Sequence, residues 1–256
     1  MSTADITVAV VTDVGPTRKR NQDAVLVPGV ILSGADRGIW NGALASGAKA
    51  LVQVIDGMGG HAGGSLAAGV SAMMMNELLS GLAPGDEVNT EWIARALQIV
   101  GDMVVDVGAI DPRTQVMGAV TAGIVVGARD VAVFHVGDCR VYVVDGGYLS
   151  VLTQDHRSRT GALTRSLGGT GKQEIIEADL TSMDRSVARR YLLCSDGLSD
   201  TLSFDAITPL AAAGTPIDAA DALVDAAITA VSRDNVTVAV VDVPAADGPD
   251  TATGWA

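Results

Sequence analysis

The chain has 256 residues, a length that suits one large domain or two small ones. Hydrophobic residues make up 48% of it but aromatic residues only 3%, so its core must be built mainly from small aliphatic side chains. Acidic residues outnumber Lys and Arg by 30 to 17, and the net charge of −13 argues against a general nucleic-acid binder, because phosphate backbones would be repelled.

The first half of the chain predicts strands followed by helices. Apolar runs predict three strands, over 6–13, 23–32 and 50–56. The Gly-, Ala- and Ser-rich stretch 33–49 predicts a loop. Apolar residues at helical spacing predict two helices, over 65–82 and about 90–107.

The second half predicts a run of antiparallel strands, two more helices and a closing strand. Short β-branched segments separated by turns predict strands over 119–128, 131–138, 140–147, 148–155, 173–180 and 191–197. Helices are predicted around 203–213 and 218–232, and a last strand over 235–243. This order predicts one α+β domain over 1–243, with helices covering antiparallel sheets, and a flexible tail over 244–256.

Three features predict a cytoplasmic protein without a membrane span. The N-terminal segment has neither a basic run nor a long apolar run, so no signal peptide is predicted. The longest apolar stretch, 116–128, is too short to cross a bilayer. Cys139 and Cys194 lie in apolar, strand-like runs and are predicted to be buried free thiols.

Four aspartates stand at predicted strand ends: Asp23, Asp56, Asp196 and Asp234. Carboxylates gathered by stacked strands would repel one another unless cations neutralised them. Oxygen ligands without nearby Cys or His pairs favour Mg²⁺ or Mn²⁺ over Zn²⁺. Each aspartate taken alone is more typical of a turn or a helix cap, and that interpretation stays open for every one of them.

A second interpretation comes from the glycine-rich turn after Asp56. The pattern Gly57-x-Gly59-x-x-Ala62, with Glu77 about twenty residues on, resembles a dinucleotide-binding fingerprint. Glu77 falls on a predicted helix, however, and the β-α-β alternation that such a site requires is missing downstream. The pattern therefore disfavours a nucleotide-binding oxidoreductase.

The chain resembles the bacterial branch of the metal-dependent, protein phosphatase 2C-like (PPM) serine/threonine phosphatases. Six segments carry the resemblance in order: TDVGPTRKRNQD (12–23), VIDGMGGHAGG (54–64), HVGDCRVY (135–142), LTRSLGG (163–169), LLCSDGLSD (192–200) and DNVTVAVV (234–241). The resemblance implies a four-layer α/β/β/α sandwich, in which two antiparallel sheets pack face to face with helices outside.

The resemblance also implies a two-metal site holding Mn²⁺ or Mg²⁺. It assigns as metal ligands the four strand-end aspartates and the Gly57 carbonyl: Asp23, Asp56, Gly57, Asp196 and Asp234. Arg18 matches the arginine that holds the substrate phosphate, a role that suits its planar fork. A metal-bridging water or hydroxide would attack phosphoserine or phosphothreonine directly, without a phosphoenzyme.

The general acid for the leaving group is not settled. The position often assigned that role in eukaryotic relatives is Met58 here. His61 is the nearest candidate, but a histidine that only begins a helix near the cleft, without a catalytic role, would occupy the same place in the sequence.

Three departures from the family pattern bear on activity. Gln22 replaces a glutamate that orients a metal-bound water, which could weaken metal affinity. No acid lies around 115–121, where relatives carry a third-metal aspartate, so a third site is doubtful; Asp200 is retained as a remnant of it. The segment between His156 and Leu163 is shorter than the flap of bacterial relatives, which predicts a more open cleft or a wall supplied by a partner.

The sequence therefore predicts a protein phosphatase acting on phosphorylated proteins, with a cognate serine/threonine kinase as a possible signalling partner. The alternative is a catalytically weak or inactive regulatory module that binds a phosphoprotein or a kinase. Gln22 and the missing third-site acid support that alternative.

Overall fold

The computed structural model describes residues 5–44, 50–83, 86 and 88–246, with the backbone alone at 60–62. Within these residues the chain forms two antiparallel sheets. The first sheet has the strand order β4-β1-β13-β12-β8-β9. The second has the order β11-β7-β6-β5-β2-β3, and the two-residue strand β10 pairs with β6.

The first sheet is built from β1 (Ile6–Asp13), β4 (Arg37–Leu44), β8 (Arg140–Asp145), β9 (Tyr148–Val151), β12 (Arg189–Cys194) and β13 (Val236–Val243). The second is built from β2 (Asp23–Val27), β3 (Val30–Ser33), β5 (Ala50–Met58), β6 (Gly118–Val126), β7 (Asp130–Val136), β10 (Leu167–Gly168) and β11 (Asp179–Asp184). The helices are α1 (Gly60–Ser80), α2 (Thr90–Gly108), α3 (Asp196–Ser199), α4 (Phe204–Ala212) and α5 (Pro216–Thr229).

Alternation along the strands separates the core into layers. In β1, Val8 and Val10 face the second sheet, while Ala9 and Val11 pack under α5 on the opposite face. Helices α1 and α2 cover the outer face of the second sheet in the same way. Both faces of the central strands are therefore buried, and most of their residues are apolar. The four-layer α/β/β/α sandwich that the resemblance implied is confirmed.

The end of α5 directs the chain into the cleft between the sheets. The Ser232 N–H donates to the carbonyl of Ala227 and the Val231 N–H to that of Ile228, the bond pattern of a Schellman cap. Val231 adopts the left-handed conformation that this cap requires, with φ of 58°, although the position usually favours glycine. The turn delivers Ser232 and the residues after it to the start of β13.

Several predicted elements are corrected. The single strand predicted over 23–32 is the hairpin β2–β3, because Gly29 turns the chain with φ of 77°. The loop predicted over 33–49 is wrong over Arg37–Leu44, which forms edge strand β4 with alternating exposure; residues 45–49 lie outside the described part.

Other boundaries also differ from prediction. The strand predicted over 191–197 ends at Cys194, because Asp196 begins helix α3, and the strand predicted over 148–155 ends at Val151. Helix α1 begins at Gly60 rather than 65, because Gly59 enters it with φ of 117°. The strand predicted over 173–180 is wrong before residue 179, since pairing with β7 spans Asp179–Asp184.

Other expectations are tested directly. Both cysteines are buried free thiols, as predicted. The neighbours of β5 are antiparallel on both sides, which excludes the dinucleotide-binding alternative at the turn after it. No helix within the described residues is long and apolar enough to cross a membrane. The tail predicted over 244–256 lies outside the described residues beyond 246, and the domain boundary at 243 stays a prediction.

Candidate metal centre

Two of the predicted ligand aspartates face each other across neighbouring strands. Asp23 begins β2 and is paired in register with Asp56 of β5. Asp23 is buried, and its Oδ2 accepts hydrogen bonds from Ser195 Oγ at 2.8 Å and Thr237 Oγ1 at 2.6 Å. Burial raises the pKa of Asp23 to about 6, because the charged form is desolvated more than the two hydroxyl donors compensate.

Asp56 is held at the centre of the acidic group. Burial, followed by the charges of Asp23, Asp196, Asp234 and Asp138, raises its pKa well above the usual value. The four predicted aspartates therefore lie close enough to one another for their charges to interact.

The residue after Asp56 must be glycine for a packing reason. A Cβ on Gly57 would lie 2.0 Å from the carbonyl oxygen of Gly64, so β5 and the start of α1 approach more closely than any side chain allows. This close approach fixes Asp56 and the Gly57 carbonyl relative to α1.

Asp196 reaches the same place from the opposite sheet. It follows β12 as the first residue of α3. Burial, then the charges of Asp138 and Asp234, raises its pKa to about 7. Its Oδ1 is buried without a hydrogen-bond partner. With Asp200 and Asp234 it lines a cavity of about 450 Å³ that opens beside the end of α5.

Asp234 and Arg18 complete the predicted set. The Arg18 guanidinium forms an ion pair with Asp234, and its Nε donates to the Arg233 carbonyl at 3.2 Å. The Arg18 side chain is 46% exposed, so it is accessible to solvent.

A neighbouring asparagine, Asn235, positions the loop that carries Arg18. Asn235 Nδ2 donates to the carbonyls of Val14 and Arg20, and its Oδ1 accepts from the Gln22 N–H. One side chain therefore fixes the 14–22 loop to the start of β13.

Sequence reasoning missed two charged residues in this centre, Asp138 and Arg157. Asp138 follows β7 inside the segment HVGDCRVY and is buried. The guanidinium of Arg157 contacts Asp138, Asp196 and Asp200 together. The position of Asp138 after a strand was the same signal that identified the other aspartates. Nothing in the local sequence singled out Arg157.

The carboxylates fit divalent cations of the Mn²⁺ or Mg²⁺ type. They are oxygen donors, burial together with their mutual repulsion raises the pKa values of three of them, and one acceptor oxygen is buried without a donor. Bound dications would neutralise the repulsion and occupy the free acceptor.

The protein phosphatase 2C family profile matches residues 40–227 of the chain. The chain belongs to this family. Relatives include the serine/threonine protein phosphatase PstP of Mycobacterium tuberculosis, 28% identical over 216 residues that cover 75% of this chain and 40% of PstP. The chain thus spans well under half the length of that relative.

Two further similarities extend over almost the whole chain. The protein phosphatase PhpP of Streptococcus pneumoniae is 27% identical over 91% of this chain and 96% of its own length. The solved catalytic domain of PstP, in complex with two manganese ions, superposes with a TM-score of 0.74 at 27% identity. That superposition covers 93% of this chain and 99% of the other.

The departures from the protein phosphatase 2C pattern have defined places in the structure. The Gln22 amide packs against Gly64, where an added Cβ would lie 2.2 Å from Nε2. Met58 lines a separate cavity of about 340 Å³ with Arg165, Ser166 and Gly169. His61 lies in the first turn of α1, and its side chain falls outside the described residues.

The two other histidines form a stacked pair, His135 and His156, with ring centroids 4.3 Å apart. The His135 Nε2 is 2.9 Å from the Gln154 carbonyl, and burial lowers the pKa of His135. The His156 Nδ1 accepts the Gly137 N–H at 3.0 Å. These bonds join β7 to the segment after β9, so both histidines have a structural role there.

Proposed function

We propose that this member of the protein phosphatase 2C family is a metal-dependent phosphatase that hydrolyses phosphoserine or phosphothreonine on proteins. The observation that carries the proposal is the convergence of Asp23, Asp56, Asp196 and Asp234, from both sheets, beside the exposed guanidinium of Arg18. PstP and PhpP bear the names of protein phosphatases, which supports the same activity here.

Asp23, Asp56, Asp196, Asp234 and the Gly57 carbonyl would hold two Mn²⁺ or Mg²⁺ ions. The ions, when bound, supply an activated water for attack on phosphorus and offset the charge on the phosphoryl oxygens. The hydroxyls of Ser195 and Thr237 orient Asp23, since both donate to the same oxygen. The glycine packing at Gly57 and Gly64 keeps the ligand-bearing end of β5 rigid.

Arg18 is the proposed phosphate-binding residue. Its guanidinium presents parallel N–H donors that match two phosphate oxygens. Its present partner, Asp234, is a proposed metal ligand, so metal binding would release the guanidinium for substrate. Met58 cannot donate a proton, and His61 stays the candidate general acid on the sequence alone.

The test is phosphate release from a phosphothreonine peptide by the full chain with and without Mn²⁺. We expect Mn²⁺-dependent release that falls at least about a hundredfold in Asp56→Asn and Asp196→Asn, because each change removes a charged ligand. Asp111→Asn is the matched control, since Asp111 pairs with Arg113 on the surface. Release that needs no metal, or that survives in both variants, would refute the proposed centre.

The regulatory-module alternative predicts a different result in the same assay. Its structural support is Gln22, which places an uncharged amide where the family pattern has a carboxylate. A protein that binds Mn²⁺ and phosphopeptide but shows no turnover with several substrates would favour it. The partners we propose for either function are phosphorylated proteins and a cognate serine/threonine kinase.

A further inference from the structure

The short segment after β9 forms a closed turn over the acidic centre. Arg157 and Leu163 form an antiparallel bridge, the Ser158 N–H donates to the Ala162 carbonyl at 2.7 Å, and the Gly161 N–H donates back to Ser158. The Thr164 N–H continues the turn by donating to the His156 carbonyl. The turn therefore carries its first residue, Arg157, in a fixed position.

The Arg157 guanidinium uses its whole fork on three carboxylates. Nε and Nη2 lie 2.7 Å and 2.6 Å from Asp138 Oδ2. Nη2 is also 2.9 Å from Asp196 Oδ2, and Nη1 is 2.8 Å from Asp200 Oδ2. A single residue thus supplies the positive charge on one side of the centre.

The contacts of Arg157 divide the acids into two kinds. Asp138 is buried and belongs to no predicted ligand set, so Arg157 is its charge partner at depth. Asp196 is a proposed ligand, and Arg157 takes one of its oxygens while the other is without a partner. Cations and the guanidinium therefore share Asp196.

We propose that Arg157 is a resident counter-cation that competes with divalent metal for this centre. It neutralises Asp138 and Asp200, keeps both away from the ions, and must yield Asp196 Oδ2 when metal binds there. This inference rests on the proposed metal centre and adds a residue that sets how tightly that centre binds its ions.

The sign of the effect follows from charge alone. A guanidinium beside the centre repels an incoming dication, and charges a few ångströms apart interact strongly near a protein surface. Removing Arg157 should therefore tighten metal binding, whereas removing an ordinary ligand-orienting residue would weaken it.

The experiment is calorimetric titration of Mn²⁺ into the metal-free full chain at pH 7.5. We expect the apparent Kd for Mn²⁺ to fall about tenfold or more in Arg157→Ala. Asp138 and Asp200 lose their positively charged partner in this variant, so additional Mn²⁺ should bind to them. Arg157→Gln fills similar space, can still hydrogen-bond to Asp138, and should shift the Kd in the same direction. In the absence of metal both variants should melt at a lower temperature than wild type. Mn²⁺ should remove this difference in melting temperature.

Arg37→Ala is the matched control, because Arg37 also contacts three aspartates but lies outside the centre. It should leave the Mn²⁺ Kd unchanged. An unchanged or weaker Kd in folded Arg157→Ala and Arg157→Gln proteins would overturn the inference while leaving the proposed function intact. A wild-type chain that binds no Mn²⁺ would instead refute the metal centre itself.

Discussion

Two arginines in this protein each contact three aspartates, yet their surroundings differ. Arg37, at the start of edge strand β4, pairs with Asp13 at the end of β1 and with Asp221 and Asp225 on α5. Arg157 pairs with Asp138, Asp196 and Asp200 in the cleft between the sheets.

The difference lies in burial and in the balance of charge. Asp221 and Asp225 are 46% and 60% exposed, so water screens them and Arg37 joins β4 to α5 as a surface cross-link. Around Arg157, Asp138 and Asp196 are only 5% and 22% exposed, although Asp200 is as exposed as Asp221. The buried carboxylate of Asp23, together with those of Asp56 and Asp234, adds charge that one guanidinium cannot balance. One guanidinium faces three carboxylates in both clusters, but water screens the remaining negative charge around Arg37, whereas the cleft around Arg157 retains excess repulsion. That excess repulsion is the property that favours dications.

The largest expected effect is on the stability of the metal-free protein as pH changes. The pKa of Asp23 is raised to about 6 and that of Asp196 to about 7, so the folded protein binds more protons than the unfolded chain between about pH 4 and pH 7. Stability must then fall as pH rises through this window, by on the order of several kcal/mol in total. The lowered pKa of His135 opposes this only in part.

Urea unfolding with a chelator present, at pH 5.5 and pH 8, measures this dependence. We expect the higher stability at pH 5.5, and a smaller difference in Asp56→Asn, which removes one of the repelling charges. Saturating Mn²⁺ should reverse the trend, because protons then compete with bound metal. Metal-free protein that is more stable at pH 8 than at pH 5.5 would contradict the repulsion on which the comparison rests.

A smaller effect is expected from the hydroxyl chain behind Asp23. Asn21 Nδ2 donates to Thr12 Oγ1, which bonds to Thr237 Oγ1 at 2.7 Å, and Thr237 in turn donates to Asp23. Thr237→Val keeps the shape but removes the donor, so Asp23 loses orientation and Mn²⁺ affinity should weaken about tenfold.

Metal titration of Thr237→Val checks this, with Thr208→Val on α4 as the control, since Thr208 bonds only to its own helix. The opposite sign expected for Arg157→Ala makes the pair informative. One residue supports a proposed ligand and the other competes for one. Equal affinities in Thr237→Val and wild type would show that the hydroxyl chain is not coupled to the metal centre.

The sequence predicted a site residue where the residue type and its position in a strand or helix are enough to indicate its role. Asp23, Asp56 and Asp196 could be singled out because each lies at or within two residues of one end of a strand, and the apolar runs of β5, β12 and β13 revealed strands. Strand β4 was missed because an edge strand with alternating exposure, RGIWNGAL, contains two glycines and a charge and looks like a loop.

Arg157 was missed for a different reason. Its significance depends on contacts with Asp138 and Asp200, which are brought together only by the stacking of two sheets and by the turn over 157–163. No local pattern encodes such contacts.

The smallest expected effect belongs to the surface member of the comparison. Arg37→Ala should lower the free energy of unfolding by about 1 kcal/mol or less, because exposed ion pairs contribute little. The loss should fade in 1 M NaCl, where the screening length is about 3 Å and the three remaining acids repel one another less. Urea unfolding at low and high salt measures both quantities without adding an ionic denaturant. A loss that is several times larger and independent of salt would mean that Arg37 is held as tightly as Arg157, and burial would then not be what separates the two clusters.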